Sequence, residues 1–107
     1  MRISEFTEKY ILSFIEVPNS PNLFIYRLNL INKADHQLNP EHTKEWCYSK
    51  RKLAEDISNP YQMGPFSSEE DLRESAQRLL VESLFWSLGI TDFYPLDKKN
   101  SLNFLFE

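Results

Sequence analysis

Three side chains in this 107-residue sequence carry the chemistry of soft metal ligands: His36, His42 and Cys47. Zinc takes four such groups, or three with an open position for water. The sequence predicts a helix over about 40–58. On that helix His42 and Cys47 are five residues apart and stand about 140° from one another around the axis. They do not converge on one point, and a carboxylate would have to complete the set. Nucleophilic catalysis would likewise have to draw on Cys47 or a serine with one of these histidines. A reactive thiolate wants a helix N-terminus or a cation beside it. Cys47 would lie about two turns inside the helix, with Lys44, Lys50, Arg51 and Lys52 mostly on other faces. His36 and His42 therefore read as solvated residues and Cys47 as a small, half-buried apolar one. No catalytic residue, cofactor or metal site is expected.

Two charged clusters remain. Glu69, Glu70, Asp71 and Glu74 have the types for acid–base work or Mg²⁺ binding. Three of them follow Ser67-Ser68 directly, where a serine cap and the positive end of a helix dipole account for them. The basic and aromatic stretch runs Lys44-Glu45-Trp46-Cys47-Tyr48-Ser49-Lys50-Arg51-Lys52. On a helix, Lys44, Tyr48, Arg51 and Lys52 share one exposed stripe, with Glu41 and Glu55 at its ends. The bland reading is a solvated face with local ion pairs. The functional reading is a contact surface, because cations beside an aromatic plane suit a protein interface. They also suit a phosphate backbone with unstacked bases. Lys44, Tyr48, Arg51 and Lys52 are the expected partner-binding residues.

Composition bounds the partner. With 12 Lys+Arg against 16 Asp+Glu the net charge is −4, which gives no global pull toward nucleic acid or an anionic membrane. The halves differ: residues 1–53 carry 8 basic and 6 acidic groups, and residues 54–107 carry 4 and 10. One cysteine allows no intrachain disulfide, and two glycines exclude most glycine-rich phosphate loops. The N-terminal residues lack the apolar core of a secretion signal, and no apolar run is long enough to span a membrane. A reducing, cytoplasmic setting is expected. Fifteen aromatics, eight Phe with five Tyr and two Trp, are many for one small domain. They call for either a dense aromatic core or an interface that takes the surplus.

The elements that must position these residues follow from pattern. Tyr10–Val17 and Leu23–Ile31 are β-rich runs flanking Pro-Asn-Ser-Pro-Asn, a hairpin signature. Both faces of these runs are apolar, so the strands are covered on both sides or at an interface. A helix from Ser4, with Ile3, Phe6, Tyr10 and Phe14 on one face, is the competing reading. Asn39-Pro40 is a helix start, and Trp46, Leu53 and Ile57 recur at helical spacing up to Asn59-Pro60. A second helix over about 68–88 opens at Ser68 and closes at Gly89. Its apolar face is Leu72, Ala76, Leu79, Leu80 and Ser83, widened by Val81, Leu84, Phe85, Trp86 and Leu88. In Ser101–Glu107 apolar residues recur at spacing two, as in a strand that adds an edge to the sheet.

Residues 61–70, Tyr-Gln-Met-Gly-Pro-Phe-Ser-Ser-Glu-Glu, loosely resemble the strand-to-helix junction of peptidoglycan-binding SPOR domains. The likeness spans ten residues, the order of elements before it does not follow that family, and no function is carried over. The expected fold is α+β, a single small domain. Its antiparallel sheet consists of the N-terminal hairpin plus a C-terminal strand, packed by the two helices at about 40–58 and 68–88. The expected function is a small non-catalytic protein-binding module: an inhibitor, an adaptor or an assembly subunit. Its partner is a protein, a second copy of the chain included, and the alternative is a nucleic-acid-associated module using the Lys44–Lys52 stripe.

Overall fold

The computed structural model describes residues 1–59, 61, 64–93 and 105–106. The chain runs α1 (Ile3–Lys9), β1 (Tyr10–Glu16), β2 (Leu23–Asn32), β3 (Leu38–Ser49), α2 (Lys50–Ser58) and α3 (Glu69–Ser87). The strands form one antiparallel sheet in the order β1-β2-β3, with helices packed against it, an α+β domain.

The N-terminal residues satisfy both readings of their pattern in turn. Ile3–Lys9 is a helix of seven residues, too short to stand alone. It is held from a distance: the Ile3 N–H donates to the Asp92 carboxylate at 3.0 Å. The chain then turns extended at Tyr10, whose N–H still donates to the Phe6 carbonyl. β1 and β2 form the expected hairpin, with Leu12 opposite Leu30 and Phe14 opposite Leu28. Its loop includes Asn19 at φ +72° and is tied down by Lys50. That ammonium donates to the Ser20 carbonyl at 2.7 Å and lies 5.4 Å over the Phe24 ring.

The helix expected over 40–58 is corrected. Residues 38–49 are a strand, and only Lys50–Ser58 is helical. A second hairpin closes through 33–37, where His36 adopts φ +56° and the Asp35 carboxylate accepts from the Gln37 N–H at 3.0 Å. Pro40 sits in a bulge: Leu28 pairs with Lys44 but Leu30 with Asn39, so β3 is longer than its partner there. A strand tolerates proline at such a bulge, where its missing N–H breaks no ladder bond. Helix α2 starts at Lys50, ten residues after the expected start at Pro40, capped by the Ser49 hydroxyl, which accepts from the Lys52 N–H at 3.2 Å.

Helix α3 follows its sequence signals closely. The Ser68 hydroxyl accepts from the Asp71 N–H at 3.1 Å, and the Asp71 carboxylate accepts from the Ser67 N–H at 3.0 Å. This reciprocal cap uses up Asp71. At the other end the Gly89 N–H reaches the Trp86 carbonyl and the Ile90 N–H reaches that of Phe85. With Gly89 at φ +73°, this is a Schellman closure. Leu72, Ala76, Leu80, Val81, Leu84 and Phe85 are buried against the sheet and α1. Leu79, Ser83 and Trp86, expected inward, face outward instead. The C-terminal strand lies mostly outside the described residues. Of the two described there, Leu105 is buried and Phe106 makes a parallel bridge to Leu12.

Most of the described aromatics meet in this core. Phe6 packs edge-on to Phe85 at 5.0 Å, and Phe85 in turn to Phe93 at 5.0 Å. Phe14, Tyr26 and Phe24 stack along the sheet. Phe85 joins α1, α3 and the segment after it, so Phe85→Ala should cost about 3–5 kcal/mol, a large share of the stability of a small domain. Urea unfolding followed by circular dichroism measures it, as a lower midpoint at unchanged slope.

Candidate functional site

The four expected partner-binding residues do not form a stripe. Lys44 and Tyr48 lie on β3, opposite Leu28 and Phe24, and therefore share the helix-covered side of the sheet with those residues. Both are half-buried, whereas Arg51 and Lys52 are exposed in the first turn of α2. Tyr48 is taken up by the fold. Its ring stacks on Trp46 at 5.8 Å and receives Phe66 edge-on at 5.0 Å, while its hydroxyl donates to the Asp56 carboxylate at 3.1 Å. A Cβ at Gly64 would stand 2.5 Å from the Cβ of Asp56, so glycine lets the chain before α3 close on this junction. Arg51 donates to Glu55 at 3.0 Å across one helical turn, and the Lys52 ammonium lies 5.5 Å over Tyr48. The aromatic plane offered to a partner is a brace between β3 and α2.

The metal-ligand candidates are likewise dispersed. His36 is in the β2–β3 turn, His42 lies in the bulged part of β3, and Cys47 is exposed near its end. Among the described residues, no three His, Cys, Asp or Glu side chains come together as an ion would need. A cleft of about 340 Å³ opens at the β1 edge, lined by Leu12, Ser13, Phe14, Arg73, Gln77 and Phe106. The one cation in this lining is already engaged, with Arg73 over the Phe14 ring at 5.7 Å and 4.0 Å from Glu16.

The other side of the sheet is the distinctive surface. Along β2 the residues at even positions, Tyr26, Leu28 and Leu30, are at most 2% exposed. The alternate residues, Leu23, Ile25, Arg27, Asn29 and Ile31, are none of them buried. β1 repeats the pattern: Leu12 is fully buried, while Ile15 is 39% exposed. The register sets Ile11 beside Ile31, Ile15 beside Arg27 and Ile25 beside Cys47, so these side chains share one face. Leu38 joins them beside Ile31, half exposed. The buried residues of α1, α2 and α3 belong to the core on the opposite side. Among the described residues the result is a sheet face rich in isoleucine that no helix covers, crossed by one ion pair. There Arg27 donates through Nε and Nη2 to a single Glu45 oxygen, at 3.0 and 2.8 Å.

Sequence reasoning saw that the hairpin was apolar on both faces but named none of these residues as a contact surface. The signal was the recurrence of Ile, Val and Leu at odd positions 11, 15, 17, 23, 25 and 31.

No family model matches the chain, and neither a curated protein nor a solved structure matches it. No described helix is long and apolar enough to cross a membrane.

Two tyrosines have raised pKa values. Burial raises Tyr26 first, with the Glu16 charge adding to it. Tyr48 is raised by burial and then by its hydrogen bond to Asp56. For both, the unfolded chain gives up its phenolic proton first, so stability is flat below the ordinary tyrosine range and falls as pH rises above it. A series of melting temperatures from pH 8 into the alkaline range should show that fall, smaller in Tyr26→Phe and Tyr48→Phe. At pH 8, Tyr48→Phe should cost about 1 kcal/mol for the lost bond to Asp56.

Proposed function

We propose that this chain is a non-catalytic protein-binding module, and that its contact surface is the open face of the sheet. The observation that carries this reading is the alternation along β2, with one side sealed by helices and the other an apolar face that no described helix covers. An exposed contiguous apolar surface on so small a domain marks a place where another protein sits. Leu23, Ile25 and Ile31 present branched side chains on a stiff pleated platform, which loses little conformational freedom when it is covered.

The same geometry favours protein over nucleic acid. A nucleic-acid surface wants cations beside exposed aromatic faces. Here the aromatic member of the basic cluster, Tyr48, is braced by Trp46 and Phe66, and Arg51 is paired with Glu55. The register-paired positions of the open face carry one cation and one anion, already joined.

The test is capture from native lysate by the tagged chain, with and without nuclease, using wild type, Ile25→Lys and the double variant Arg51→Ala/Lys52→Ala. A stoichiometric protein should survive nuclease, be retained by the double variant, and drop at least about tenfold with Ile25→Lys, which places a charge at the centre of the face. Co-purifying nucleic acid that disappears with the double variant would move the function to the α2 cations instead.

A further inference from the structure

We propose that the open sheet face is closed by a second copy of the chain, packed sheet against sheet in an isologous dimer. This rests on reading that face as a protein-contact surface and names its occupant.

Charge points to self-association. The chain carries a net charge of −4, yet the register-paired positions on this face sum to zero: Arg27 and Glu45 stand directly opposite on adjacent strands. Their side chains are 39% and 49% exposed. A neutral face offers no field to select an oppositely charged partner. A positive and a negative group side by side are instead complementary to the same pair turned over by a two-fold axis. An axis lying between the two sheets, along the gap between β2 and β3, would place β2 of each copy over β3 of the other. Arg27 of each copy then meets Glu45 of the other, and Ile25 meets Cys47 of the other. Both charges keep an opposite partner while the surrounding apolar side chains leave water.

Shape agrees with this arrangement. Such an axis leaves the strands of the two copies near alignment, as in aligned sheet packing with its layers about 10 Å apart. The finished dimer would be layered helix, sheet, sheet, helix, with the β2 and β3 faces turned inward and β1 of each copy at the rim. Size sets the strength. β2 and β3 are the strands that overlap about this axis, and two strands about 4.8 Å apart, at about 3.3 Å per residue, offer a plane of roughly 300 Å². That is short of the roughly 800 Å² per partner of a standard interface. The dimer is therefore expected to be weak and reversible.

Sedimentation equilibrium from low micromolar to submillimolar chain tests this on wild type, Arg27→Glu, Glu45→Arg and an equal mixture of the two variants. Wild type should self-associate. Each variant alone should associate at least about tenfold more weakly, because like charges then face each other across the axis. In the mixture every cross-copy pair is opposite again, so association should return toward wild type. Within each chain positions 27 and 45 stay like-charged whether alone or mixed, so recovery reports only the contact between copies. Wild type that stays monomeric overturns the proposal, and so does a dimer indifferent to both variants or a mixture no better than its parts. If the charge variants fail to fold, by circular dichroism, Ile25→Thr keeps the strand and should still weaken the dimer. A monomeric wild type whose lysate partner is lost with Ile25→Lys would sink the dimer and leave the binding function standing.

Discussion

The structure depends on the two-residue period of β2. It is the strand with a paired neighbour on each edge, so its ladder is satisfied and its side chains alone decide which side faces what. Tyr26, Leu28 and Leu30 point to the helices and lose their water. Those three side chains contribute about 1.5–3 kcal/mol each by burial, and they fix the register, since a slip of one residue would exchange the two faces. α3 can lie on the sheet only because this row is continuous. The apolar row on the other face is the complement of the same pattern.

The hairpin and α3 were legible because each announces itself locally. Two β-rich runs around Pro-Asn-Ser-Pro need no distant partner to be recognised. Ser68, Asp71 and Gly89 are capping chemistry that works wherever a helix starts or stops. β3 was illegible for a physical reason. Asn39-Pro40 is a good helix start in isolation, and Trp46, Leu53 and Ile57 do recur at helical spacing. Trp46 and Tyr48 also alternate at spacing two, and the pattern alone does not choose between them. The unpaired edge of β2 chooses: it supplies hydrogen-bond partners from Leu38 to Ser49, and the bulge at Pro40 absorbs the residue that a ladder would reject.

That one misassignment accounts for the candidate site. Once Lys44 and Tyr48 are strand residues, they lie across from Leu28 and Phe24 on the covered side, and only Arg51 and Lys52 are left in the open. The doubled apolar pattern of the hairpin was visible throughout. It could not be assigned to core or interface until the position of the helices was known, because a sheet between two helix layers has the same sequence signature as a sheet with one layer and a partner.

The hydrogen bond from Ile3 to Asp92 bears on the order in which the molecule assembles. Seven residues are too few to hold a helix through their own propagation, and here the anchor is 89 positions away in the chain. Closing so long a loop is entropically costly, and that cost falls once the intervening sheet and α3 are already in place. α1 is then a late-forming element whose amide protons report completion of the whole domain. It is also the first piece to fray when the far end of the chain lets go.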